Sequence, residues 1–311
     1  MEPIGAIIDA FRTRSLVALG DPHGNEQIQA FRLALIRDPR FAATVDDIVV
    51  EFGNARFQDA IDRFVRGEEV PPSVLKHVWQ DTTQVEFEWE LPPYEEFFRA
   101  VRAVNATLPA QRKLRVLLGD PPIDWSTIHA SGDYMRFMEN SGRDAYAVQV
   151  IQKEVLAKGK RALLIYGDQH LIRRNVVPNS PQPWARGLVA QLERPGIATV
   201  FTIHETRKDW RSWRADVTSW PAPSLALTKD TTIGAALFSA PPQRPVRYDD
   251  QFDALLYLGP LSAMTQARLS PVLCADRQYI DMRLARLALI PPPPGAPITP
   301  ADLLKQECRT K

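Results

Sequence analysis

The chain carries short runs of consecutive apolar residues, each stopped by glycine, aspartate, histidine or proline. They are Leu16–Leu19, Asp47–Phe52 (DIVVEF), Leu114–Leu118, Ala162–Tyr166 (ALLIY), Ala198–Ile203 (ATVFTI) and Ala254–Leu258. Apolar runs of strand length without polar alternation predict strands covered on both faces, the pattern of a parallel sheet. Between them the apolar positions switch to helical spacing. Ile28, Phe31, Leu35 and Ile36 form a stripe that starts behind Asn25, a good N-cap, and stops before Asp38-Pro39. Ala55–Val65, Pro72–Gln80, Tyr94–Asn105, Asp144–Lys158, Gly187–Glu193 and Asp276–Leu289 read as further helices.

Strands alternating with helices predict an α/β fold: a mainly parallel sheet of about five or six strands with helices on both faces. The interval between the second and third strands is too long for a simple crossover and mostly helical. It reads as a helical insertion over about 55–110, lying on the sheet's edge and walling a pocket. Asp133–Arg143 reads as an irregular connection and Arg173–Pro183 as a polar loop at the pocket's rim. Residues of about 205–250, with Trp210, Trp213, Trp220 and many prolines, read as a loop-rich wrap. Residues 1–290 are expected to be a single domain, and Pro291–Pro294 opens a Pro-rich tail over 291–311.

Composition narrows the function classes. Hydrophobic residues make up 45% and charged residues 24%, so core material is ample. With 38 basic and 37 acidic residues, no global field favours nucleic acid. No apolar stretch approaches the ~20 residues of a membrane helix, and residues 1–14 lack the apolar centre of a signal peptide. The compartment stays open between cytoplasmic and exported with the signal removed. Cys274 and Cys308 are the only cysteines, which suggests neither a disulfide framework nor a cysteine zinc site. The expected partner is a small-molecule substrate, and the sequence leaves the oligomeric state open.

The chemistry gathers where the strands stop. Three runs end in Gly-Asp (Gly20-Asp21, Gly119-Asp120, Gly167-Asp168), and two continue to a histidine, His23 and His170. In parallel sheets these carboxyl ends share one edge. Glu51 ends the second run. Asp124 and Trp125 follow the third in GDPPIDW. Arg32 lies four residues after Ile28, on the apolar stripe, where a guanidinium needs an anion. Arg143, Tyr166 and His204 rank behind these. Two chemistries fit. In one, a histidine activates water as general base, with a carboxylate and a guanidinium steadying charge. In the other, His23, Glu51 and His170 ligate a divalent metal. His23, beside a helix N-terminus, is expected to be neutral.

Gly20, Asp21, His23 and Gly24, then Arg32 nine positions after His23, Glu51 twenty-eight positions after it, and the late His170 resemble the erythromycin esterase-like, ChaN and Tiki superfamily. The resemblance spans Leu16 to His170. It departs where members carry Gly-Glu and a slightly longer path to the first histidine. It implies a hydrolase of the erythromycin esterase-like type, cleaving an ester or similar acyl bond. His23 would be the base and Glu51, Arg32 and His170 would complete the catalytic group. From their places after the strand ends, Asp21, Asp120, Asp124 and Asp168 are expected to line the substrate; the helical insertion and GDPPIDW do not map onto an esterase. Other branches imply a metal-dependent Tiki-like hydrolase or peptidase, or a non-enzymatic ChaN-like haem-binding protein. Arg32 is expected to pair with Glu51 and so weaken any ion's hold on it. No cofactor is therefore expected, with a divalent metal on His23, Glu51 and His170 as the alternative.

Overall fold

Each apolar run becomes a strand. The computed structural model describes residues 1–173, 187–205, 217, 219–238, 246–290 and 299–308. Among them the strands are β1 Leu16–Gly20, β2 Asp47–Asn54, β3 Arg115–Asp120, β4 Ala162–Tyr166, β5 Val200–Glu205, β6 Ser224–Leu227, β7 Leu237–Phe238, β8 Val246–Arg247 and β9 Ala254–Tyr257. Seven form one sheet in the order β3-β2-β4-β1-β5-β9-β6. All its pairs are parallel except β6 with β9. β7 and β8 form a separate antiparallel pair. The carboxyl ends of β1 to β5 and β9 therefore open on the same edge.

Successive side chains of a strand face opposite sides, so each run feeds two cores. Val17, Leu19, Ile48, Val50, Leu163 and Ile165 enter one; Leu16, Ala18, Val49, Leu117 and Leu164 enter the other. The helices Glu26–Arg37, Gln58–Arg66 and Pro92–Ala106 cover the first face through residues such as Ile28, Ile61 and Phe97. The helices Arg143–Glu154 and Leu188–Leu192 cover the second through Ala147, Ile151 and Leu188. Burying each large aliphatic side chain contributes ~1.5–3 kcal/mol, which is why unbroken apolar runs end up in the middle of the sheet.

Several expectations are corrected. The insertion packs on a face of the sheet, its long helix lying against Glu26–Arg37. The sheet has a seventh strand, β6, drawn from the segment read as loop-rich wrap. Most of Asp133–Arg143 falls in a helix, Ser131–Ser141, whose short stripe of Tyr134, Phe137 and Met138 is only half-buried. Cys274 and Cys308 form a disulfide across 34 residues, with Cα atoms 5.2 Å apart. Trp210, Trp213, the Pro291–Pro294 run and the Arg173–Pro183 loop beyond Arg173 lie outside the described residues. Among the described residues no helix is long and apolar enough to cross a membrane.

Candidate active site

At the end of β1 the chain turns through Asp21, Pro22 and His23 to Gly24, whose φ of 74° takes it into the left-handed region that glycine tolerates. Asn25 then caps the next helix, its side chain accepting from Ile28 N at 3.0 Å. This turn aims Asp21 inward. Its fully buried carboxylate forms an ion pair with the fully buried Arg32 and accepts from the Tyr94 hydroxyl at 3.1 Å. The same carboxylate lies 3.4 Å from His23 Nδ1. Trp89, from the insertion, meets the His23 ring edge-on at 4.5 Å between centroids. The insertion thus supplies a wall of this site.

A second group comes from β2, β4 and the helix Arg143–Glu154. Glu51, buried at the end of the apolar part of β2, takes three donors: Gly167 N at 2.8 Å, Arg143 Nη2 at 2.9 Å and His170 Nε2 at 3.1 Å. The other nitrogen of His170, Nδ1, lies 2.5 Å from Asp144 Oδ1. Arg143 Nε is 3.4 Å from Asp120, which accepts from Thr83 N at 2.6 Å and Thr83 Oγ1 at 2.5 Å.

Gly167 joins the two groups. A Cβ built on it would stand 3.0 Å from His23 Cε1, 3.2 Å from His23 Nε2 and 3.4 Å from Glu51 Oε2. Only a residue without a side chain lets the imidazole and the carboxylate share that backbone. His23 and His170 therefore flank one carboxylate.

The charges follow from these contacts. Burial opposes ionisation of Glu51, but His170 and Arg143 outweigh it and hold the carboxyl well below its ordinary range. For His170 burial favours the neutral ring, yet Glu51 and Asp144 on either side push its pKa up to about 10. Burial and the neighbouring Glu51 charge outweigh the help of Arg143 and Thr83 and raise Asp120 to about 6. His23 is raised despite its burial, chiefly by Asp21 and then by Glu51. The neutral bias expected from the helix N-terminus is thus overridden by two nearby carboxylates.

Exposure separates groups a substrate can touch from groups it cannot. The side chains of His23, Arg143 and His170 remain 30%, 22% and 18% exposed, whereas Asp21 and Arg32 are at 0%. Arg32 therefore braces Asp21 and does not face Glu51, the partner expected for it from the sequence; the guanidinium on Glu51 is that of Arg143, beside His170. The four aspartates expected to line the substrate stand in different surroundings. Asp21 backs His23, and Asp120 supports Arg143 and Thr83. Asp124 caps Ser126 N and pairs with Arg56 at 2.7 Å, away from the histidines. Asp168 turns to His204, 3.3 Å away, on the other side of β1. Trp125 stacks on Tyr134 and under Arg286, a packing role. Sequence reading missed Tyr94, Trp89 and Asp144. The adjacent Arg143-Asp144 pair opening a helix was the available signal for the last.

No family model matches the chain, and no curated protein matches it either. Solved structures do. A Bacillus cereus protein of 10% identity matches with a TM-score of 0.55 over 84% of this chain and 91% of its own. The type III effector HopBA1 matches at 0.46 with 12% identity, over 83% of this chain and 94% of its own. ChaN of Campylobacter jejuni, in a structure of cofacial heme binding, matches at 0.38 with 12% identity, over 67% and 88%. The α/β fold is shared with the Bacillus cereus protein.

Proposed function

We propose that this chain is a hydrolase of the erythromycin esterase-like type, cleaving an ester or similarly activated acyl bond with His23 as general base. The observation that carries the reading is the seating of His23 against Gly167, with Asp21 behind the ring and Glu51, Arg143 and His170 in front. Neutral His23 takes a proton from water through Nε2 while the oxygen attacks the acyl carbon. Asp21, at Nδ1, holds the ring and steadies the imidazolium that forms. The tetrahedral oxyanion meets Arg143 and His170, two cations already fixed by Glu51, Asp120 and Asp144. His23 then returns the proton to the departing alkoxide, leaving an acid and an alcohol.

In this scheme Glu51 orders the cations rather than water, because Gly167, Arg143 and His170 already occupy it. Those same donors compete with any ion at His23, Glu51 and His170, so the reaction needs no metal on these three residues. The order His23, Arg32, Glu51, His170 supports the resemblance to the esterase-like branch, with Arg32 as a positioning residue.

A panel of chromogenic esters tests the reading. His23→Ala is expected to lower turnover by at least about a hundredfold while leaving the circular dichroism spectrum unchanged. Haem titration followed by absorbance runs beside it. Spectral binding of haem together with no turnover of any ester would replace the enzyme by a binding protein.

A further inference from the structure

The edge of the sheet holds a second cluster, across β1 from Glu51. Asp168 opens the helix Asp168–Leu171 after β4, and His204 and Glu205 are the last residues of β5. All three are buried, at 6%, 1% and 2% exposure. Neighbouring residues of a strand normally point to opposite faces. Here both reach Asp168, and Gly20, closing the intervening β1, leaves room for the two carboxylates: a Cβ there would overlap those of Glu205 and Asp168. One ligand atom from each residue lies within 4.8 Å of the others. Nε2 of His204 lies 3.3 Å from Asp168 Oδ2, and its Nδ1 lies 3.0 Å from the Tyr248 hydroxyl.

We propose that Asp168, His204 and Glu205 bind a divalent transition-metal ion, Zn2+ or Mn2+. Tetrahedral Zn2+ with bonds of about 2.0–2.2 Å needs its ligand atoms roughly 3.3–3.6 Å apart, so side-chain shifts of about 1 Å close the triangle. The imidazole selects a transition metal over Mg2+ or Ca2+, which prefer oxygen. A ligating histidine is held by a hydrogen bond at its second nitrogen, and here the Tyr248 hydroxyl stands at Nδ1 of His204, leaving Nε2 to the ion. The ion would tie the end of β4 to the end of β5 across β1, and so hold the Gly167-Asp168 turn on which His23 rests.

The test uses the full chain, stripped with a chelator, reloaded separately with Zn2+, Mn2+ and Mg2+, and dialysed. Elemental analysis is expected to find about one equivalent of Zn2+ or Mn2+ and no Mg2+, with a higher unfolding temperature in the loaded protein. The near-isosteric Asp168→Asn and Glu205→Gln, with His204→Ala beside them, should lose the ion. Tyr248→Phe should weaken it by about tenfold or more. His23→Ala and Glu51→Gln should keep it. Wild type that retains no ion overturns the proposal. So does an ion lost from His23→Ala and Glu51→Gln but kept by folded Asp168→Asn and Glu205→Gln, which would place it at the first site. None of these readouts depends on ester cleavage.

Discussion

In the proposed reaction the proton on His23 decides whether the base is available. Asp21 and Glu51 raise its pKa above the ordinary 6.5 against the effect of burial, so the deprotonated, active ring is lost on acidification through that raised value. The rate constant kcat/KM should climb with pH to a plateau, with a midpoint above 6.5. Asp21→Asn removes the first stabiliser of the imidazolium: the midpoint should fall and the plateau drop by at least about tenfold. A wild-type midpoint at or below 6.5, or one unmoved by Asp21→Asn, contradicts the assignment. Arg32 answers to stability instead. Its removal in Arg32→Met strands the buried Asp21 carboxylate and should cost ~3–5 kcal/mol in denaturant unfolding, with Asp21→Asn in the same chain recovering part of it. His23, Glu51 and His170 were legible because each follows an apolar run that could only be a strand. The partner of Arg32 was not, since helical spacing gives the face a residue lies on but not which carboxylate waits there.

Elements were legible in proportion to how much they bury. The strands β1 to β4 are buried almost throughout, and their apolar runs announce them. β6 has only four residues and Leu227 at its end is 46% exposed, so its pattern is that of a loop. The helix Ser131–Ser141 fully buries nothing, and its stripe is a short one, Tyr134, Phe137 and Met138, with the exposed Met135 beside it. The disulfide was equally silent, because two cysteines in weakly patterned segments carry no pairing signal. It ties the helix Pro271–Ala275 to the residue capping Pro300–Glu307. Closing a loop of this size removes chain entropy worth roughly 3–4 kcal/mol from the unfolded state. Thermal unfolding with and without reductant should show a lower midpoint when reduced, and Cys308→Ser should reproduce that value and lose its response to reductant.

Across the whole molecule the strand order carries the most consequence. β4, fourth along the chain, lies between β2 and β1, and β5 lies on the far side of β1. Leu16 pairs with Ala162 on one side and Val200 on the other. The centre of the sheet is thus completed late. While the chain is being synthesised, β1 and β2 have no neighbour between them until residue 162 has emerged, and His23 has no Gly167 to rest on. Loop-closure entropy must be met before these distant pairings repay it, which slows folding. In refolding followed by pulsed hydrogen exchange, amides of β1 and β4 should gain protection together and late, after the helix Pro92–Ala106. The proposed ester cleavage should return in that same phase, because the strand that closes the sheet also delivers the glycine on which His23 sits.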